Sequence, residues 1–350
     1  MNSIWHSLSL WLQELGSRLK VRGAERRLHE RAVQFAIERI IDQANPALRG
    51  LGGYQRKLYP VVERLLQYAE ELVAQIPGPT TVDPDSWSSD PLVNALFGNV
   101  QRIRQVVSGP AVRDWLKQHP MPRGDDLHAL LAVVPLERNQ LGMELVDEQV
   151  QRDVKQTTLS FTDHELFAVA ETMPEARLLL TGQIVDLIVS IAMAELVGQE
   201  ERIAALEQAV RMLRLKLKVV NPRAGAVDLT LSSSGQHLAE REQLQARIEE
   251  NERDLADASR GLGDIAQYLD RLISLLDHAE RHIGLERMHL WLDRMNIVRD
   301  RSDKDANEIE LVRGRRPDQP GRVAQFIRFP RRLILSADAR LEEVERHLGL

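Results

Sequence analysis

Between Leu196 and Ile283 two runs of positions recur in alternating steps of three and four. The first is Leu196, Gln199, Ile203, Leu206, Val210, Leu213, Leu217 and Val220. The second is Leu244, Ile248, Asn251, Leu255, Ala258, Leu262, Ile265, Leu269, Leu272, Leu276, Ala279 and Ile283. A mostly apolar repeat of this kind puts one stripe on each helix, and such stripes are buried by packing along a shared seam. The connector Asn221–Gln236, NPRAGAVDLTLSSSGQ, carries Pro and Gly and interrupts the helix. Two seams joined this way predict an antiparallel coiled-coil hairpin over 174–283 with its tip at 221–236. Leu213 is then expected near Leu244, and Ile203 near Leu255. Gly261 and Gly263 mark a weak point in the returning helix. Asn251 and Gln199 are polar seam residues, read as fixing register rather than binding a ligand.

Leu178–Val197 has only Asp186 and Glu195 as charges and is apolar almost all round, so the base of the hairpin is expected to be buried. Its length suits a membrane span. A carboxylate in mid-segment opposes insertion by about 2.5–3.5 kcal/mol, which favours a buried helix.

Elsewhere helical spacing also dominates. Ile4, Trp5, Leu8, Trp11, Leu12, Leu15 and Leu19 form one apolar face, followed by Arg18, Lys20, Arg22, Arg26 and Arg27. A second helix is expected from about Glu25 to Ala44, with Leu28, Ala32, Phe35, Ile40 and Ile41 inward, and a third over Gln55–Gln75 with Pro60 in its first turns. The Pro-, Ser- and Asp-rich stretch Pro77–Pro91 reads as an exposed linker. Three or four short helices are expected between Leu92 and Gln151.

Strand signals are few. Val154–Phe161 alternates and is Thr-rich, and Thr162 and Asp163 after it suit a helix cap. Asn307–Gly314 and Arg322–Phe329 read as a β-hairpin lying beside Val154–Phe161. Ser336 begins a terminal helix with Leu341, Val344 and Leu348 on one face. The expected fold is therefore mainly α, a helical body with the hairpin and a small antiparallel sheet at its base. Its parts are amphipathic helices at 1–76, a linker at 77–91, a body at 92–173 with one strand at 154–161, the hairpin at 174–283, and a β-hairpin with a helix at 284–350.

Composition limits the chemistry. The chain has no Cys, which removes disulfides, thiolate zinc sites and a Cys nucleophile. Its N-terminus lacks the layout of a secretory signal, so the cytoplasm is the expected location, with a peripheral position at the membrane as the variant. The net charge is -6, but Arg294–Arg332 carries 11 Lys/Arg against 6 Asp/Glu, while Gln236–Ile283 carries 6 Arg against 11 Asp/Glu.

Each candidate site has a plainer competing reading. His278 and His282 stand four apart with His289 beyond, but HAERH lacks the zinc-protease glutamate, and a solvated face is the reading preferred. Asp163, His164 and Glu165 follow a strand, where catalytic groups are common, yet they suit a helix start better. The glycines of Arg49–Lys57 lack the Gly-Lys-Ser/Thr of a phosphate loop and read as a helix–helix turn. Arg313, Arg315, Arg316, Arg322, Arg328, Arg331 and Arg332 suit phosphate groups, but only Phe326 and Phe329 are there to stack bases; internal pairing, the acidic returning helix being one partner, and solvation is the preferred reading. No catalytic, cofactor or metal residues are assigned.

The leading functional reading is a non-catalytic interaction or scaffold protein presenting its hairpin tip, 221–236, to a protein partner. The alternatives are a peripheral membrane protein held by residues 1–22, or an enzyme of unrecognised type with its pocket near His164. For this helix itself, docking against the chain's own second helix or a homo-oligomer contact is preferred over a membrane surface. Nucleic acid ranks last among partners.

Overall fold

The computed structural model describes residues 22–146, 149–220, 234–260, 264–301, 303, 306–316 and 319–335. The expected N-terminal face Ile4–Leu19, most of the tip 221–236 and the terminal helix from Ser336 lie outside these residues. The helices are α1 (Arg22–Ala44), α2 (Tyr54–Gln75), α3 (Pro84–Ser89), α4 (Pro91–Leu96), α5 (Val100–Val107), α6 (Pro110–Gln118), α7 (Met173–Val220), α8 (Ser234–Ala258) and α9 (Ile265–Leu276). The strands are β1 (Thr80–Thr81), β2 (Asp126–Val146), β3 (Gln149–Ala170), β4 (Gly284–Leu292), β5 (Asn307–Arg315) and β6 (Val323–Pro330).

The sheet corrects the expected fold. The chain is 58% helix and 25% strand, and its strands form one large curled antiparallel sheet shaped as a half-barrel. The sheet order is β3-β2-β6-β5-β4, with β1 added in parallel to β6. The stretch Leu92–Gln151, expected to be all helix, is helical only to Gln118 before β2 begins at Asp126. Val154–Phe161 is the middle of the 22-residue strand β3. The pair β5–β6 lies next to β2, not next to β3.

Contacts divide the chain into two units, one of Met1–His29, Leu65–Asp186 and Ala279–Leu350, the other of Glu30–Arg64 and Leu187–His278. In the first unit the sheet is covered on both faces. On one face Leu127, Ala129, Leu131 and Val133 of β2 and Ile327 and Phe329 of β6 pack with Val93, Leu96, Phe97, Ile103 and Trp115 from α4–α6. The other face buries Leu130, Ala132, Ala324 and Phe326. There Arg177 of α7 sets its guanidinium 4.9 Å from the Phe326 ring centroid and donates from Nη1 to the Val73 carbonyl of α2 at 2.9 Å. Strands covered on both faces lose the alternation of a half-exposed sheet. That is why ALLAVV in β2 gives no period-two signal, and why its Leu and Ala favour a helical reading.

Pro135 fits this strand because β2 pairs with β6 only as far as Val133. Beyond that point one edge of β2 has no ladder partner in β6, and a missing N–H costs nothing on that side.

Three register shifts mark the β2–β3 pair, and each places an extra residue in β3. Asp153, Asp163 and Ala168 take positive φ at these points, 62, 50 and 51°. A bulge of this kind reverses which face the following residues occupy. Leu159 and Phe161 point into the helix-covered face before Asp163, Leu166 does so after it, and Val169 after Ala168. Asp163 is therefore a bulge residue inside a strand, not a helix cap. The outer edge of β3 is met by the turn after β4. The Thr158↔Ile297 and Leu292↔Val298 bridges join it to β4, and the Asp293 carboxylate accepts from the Met295 and Ile297 amides and from Arg299.

Pro77–Pro91, expected as an exposed linker, forms β1 and α3 and buries Val82 fully. Asp83 and Ser86 form a capping box, and Asp90 and Asn99 cap α4 and α5. Their polar side chains satisfy helix N–H groups and so set the helix starts.

The second unit is helical. Among the described side chains of α1, Val33, Ala36, Ile37, Ile40 and Ile41 are buried; Ile40 and Ile41 were expected inward, while Ala32 and Phe35 are half-buried. Pro60 lies inside α2. Ion pairs Lys57–Asp270, at 2.8 Å, and Arg64–Asp277 join the first part of α2 to α9 and its end.

Two substitutions test the sheet's construction. Gly78 has φ +110°, and a Cβ there would collide with the Phe326 carbonyl. Gly78→Ala is expected to lower stability by about 1–3 kcal/mol. Asp163→Val, a β-branched residue at positive φ, should cost about 1–2 kcal/mol, whereas Asp163→Gly should cost nothing. Urea unfolding of the variants measures all three.

Candidate interaction surface

Helix α7 has 48 residues and extends for about 72 Å at 1.5 Å per residue. From Leu187 onward it belongs to the second unit together with α8 and α9. Arg214 pairs with Glu252 at 2.6 Å, while Arg271 reaches Glu195 at 3.3 Å and donates to the Gln199 Oε1 at 3.4 Å. Partner numbers fall on one side as they rise on the other, so α7 runs antiparallel to α8 and α9. Within 200–219 of α7 the least exposed side chains include Ile203, Leu206, Val210, Leu213 and Leu217. In α8, Leu244, Ile248, Asn251, Leu255 and Ala258 are among those drawn inward, with Val210 and Ile248 buried. Gln199 is a hydrogen-bond partner of Arg271, a structural part. The returning helix is not continuous: α8 ends at Ala258, and α9 starts anew with Asp264 capping the Gln267 amide at 2.8 Å.

The far side of α7 has a different character. Val197, Met212, Leu215 and Val219 are 46, 52, 56 and 84% exposed. At 100° per residue they share one face, turned away from the seam. Sequence reasoning missed this face because the stronger seam absorbed the apolar residues; its trace was the apolar spacing Met212, Leu215, Val219, at steps of three and four.

A polar hollow of roughly 430 Å³ lies where α8 ends, lined by Gln199, Arg202, Asp254, Asp257, Arg260 and Arg271. Its charges are largely matched, Arg260 on Asp257 at 2.8 Å and Arg271 on Glu195. Matched surface pairs of this sort contribute at most about 1 kcal/mol each and supply no general base poised against a nucleophile.

The other candidates are placed differently from expectation. His164 sits on the bulge of β3, its ring stacked on Phe97 with centroids 5.4 Å apart and its Nε2–H donating to the Leu96 carbonyl at 2.7 Å. Burial pushes its pKa below the ordinary imidazole value, as it does for His128. The half-buried ring thus packs against Phe97 at the end of α4. Glu165 pairs with Arg322 at 2.8 Å. His278, His282 and His289 do not share a helix face: α9 ends at Leu276, and His289 lies in β4, 3.3 Å from Glu308. Among the described residues there is no group of three or more His, Asp or Glu suited to a metal ion. The glycines of Arg49–Lys57 lie between a short 3-10 turn and α2.

Several arginines of the last strands pair internally. Arg313 pairs with Glu286 at 3.1 Å, Arg328 bonds Thr81 at 3.0 Å, and Arg331 donates to the Pro122 and Gly124 carbonyls at 3.1 and 2.7 Å. They are used inside the first unit. Helix α7 is long and apolar enough by composition to cross a membrane, but half of the qualifying window is buried in the protein. Comparison with protein-family models, with curated proteins and with solved structures finds no match.

The buried histidine carries a pH prediction. The unfolded chain takes up a proton near the free imidazole value of about 6.5, while folded His164 resists it. Stability is therefore full above that value and declines as the pH falls through it toward the depressed folded value. His164→Gln should reduce the fall in melting temperature between about pH 7.5 and 5, measured by circular dichroism.

Proposed function

We propose that this chain is a non-catalytic interaction or scaffold protein of the cytoplasm, whose antiparallel helical arm presents a surface to a protein partner. The observation that carries the reading is the arm itself. Helices α7 and α8 run antiparallel, linked by Arg214 and Glu252, with Val210 and Ile248 buried, while the other side of α7 leaves Met212, Leu215 and Val219 exposed. Large apolar side chains gathered on one solvent-facing stripe mark contact sites. The segment joining α7 to α8, 221–233, lies by connectivity at the end of both helices and belongs to the same proposed surface. The titratable groups singled out from the sequence support this reading too, since they serve packing and ion pairing.

Replacing 221–233 by a short Gly/Ser connector tests it. The tagged full chain, purified from its native host under mild lysis, should bring down a partner in fixed proportion, and the variant should lose it while keeping its melting temperature. Equal recovery with both would contradict a role for the tip.

The sequence of residues 1–22 supports a second reading, attachment to an anionic membrane surface through Trp5 and Trp11 with Arg18, Lys20 and Arg22. In that case the full chain floats with anionic liposomes in a salt-sensitive way and a chain lacking 1–22 does not. Equal flotation of both would exclude it.

A further inference from the structure

We infer that the outer face of α7 is the seat of an antiparallel self-association, its occupant a second copy of the same face. The positions Glu201, Ala205, Gln208, Met212, Leu215 and Val219 step by four, three, four, three and four, a second heptad run on the side opposite the first. One helix thus carries two seams, and α8 occupies only one of them. Met212, Leu215 and Val219 remain 52, 56 and 84% exposed.

Charge chooses the occupant and its direction. Toward the tip the stripe is flanked by Lys216 and Lys218; toward the other end it is flanked by Glu200 and carries Glu201 itself. None of these four has a hydrogen bond or ion pair with another described side chain, whereas Arg211 and Arg214 are engaged with Glu207 and Glu252. A parallel second copy would set lysine against lysine and glutamate against glutamate. An antiparallel copy sets the basic end of each against the acidic end of the other, around a two-fold axis near Val210. It places Leu215 against the second copy's Ala205, Met212 against its Gln208, and brings Lys218 on the same flank to within about one turn of its Glu200. Small and long side chains then face each other, as interdigitating seams require. Glutamate and glutamine within the stripe keep the contact weak enough for the lone chain to be soluble. This inference is independent of the tip's role: it concerns the outer face, and a tip-deleted chain should still self-associate.

Sedimentation velocity of the full chain across a concentration series is the test. The expected result is a monomer–dimer equilibrium that Met212→Glu/Leu215→Glu shifts at least tenfold toward monomer, with an unchanged circular dichroism spectrum because both residues are exposed. Lys218→Glu and Glu200→Lys should each weaken the dimer, and the two together should restore it. A chain that stays monomeric throughout overturns the inference. So does a dimer indifferent to the double glutamate variant, or one that depends on residues 1–21 instead. Failure of the charge swap to restore association would overturn the antiparallel direction.

Discussion

The ladder between β2 and β6 is the constraint on which the first unit depends. From Asp126↔Pro330 to Val133↔Val323 the two strands pair without a break. Apolar side chains leave them on both faces, and each face needs its own cover. One cover is α4–α6; the other comes from the second part of α2 and the start of α7, tied in by Arg177 between the Val73 carbonyl and Phe326. Phe326, Phe329 and Leu127 are completely buried, and truncating either phenylalanine to alanine would be expected to cost about 3–5 kcal/mol. The remaining edge of β6 is shared between β1, held by Gln325 on Thr80 at 2.8 Å, and β5. No other strand has so many neighbours.

This arrangement explains what the sequence conceals. The helices were readable because an amphipathic helix alternates apolar and polar residues at a fixed period, and the less exposed side chains of α7 and α8 fall on that period. The caps at Asp83, Asp90 and Asn99, each a polar residue bonding an amide two or three positions on, went unread, the first two because their stretch was taken for a linker. Strand β2 was not readable. Its first part, through Val133, is buried on both faces, so the run ALLAVV has no alternation, and leucine and alanine favour helices in the absence of context. Strand β3 was read only in its middle because the bulges at Asp153, Asp163 and Ala168 break its period. Strand β4, GLERMHLWL, was passed over because its histidine was grouped with two others on an assumed helix.

The candidate site was partly legible for the same reason. Single chemical residues take structural parts: half-buried His164 stacks on Phe97 beside a bulge, and the late arginines serve Glu286, Glu165, Thr81 and backbone carbonyls of their own unit. The surface proposed for the arm rests on an asymmetry of burial: Val210 of α7 and Ile248 of α8 are buried, while Met212, Leu215 and Val219 of α7 are exposed.

The direct test of that asymmetry uses the absence of native cysteine. Single cysteines at 210 and 248 in the seam, and at 212 and 215 on the outer face, are compared by the rate at which a thiol reagent modifies each in the dilute folded chain. The account predicts that the two outer positions react about as fast as a free thiol, and the two seam positions at least about tenfold more slowly. Equal rates at all four, or protection of the outer pair in a monomer, would contradict it.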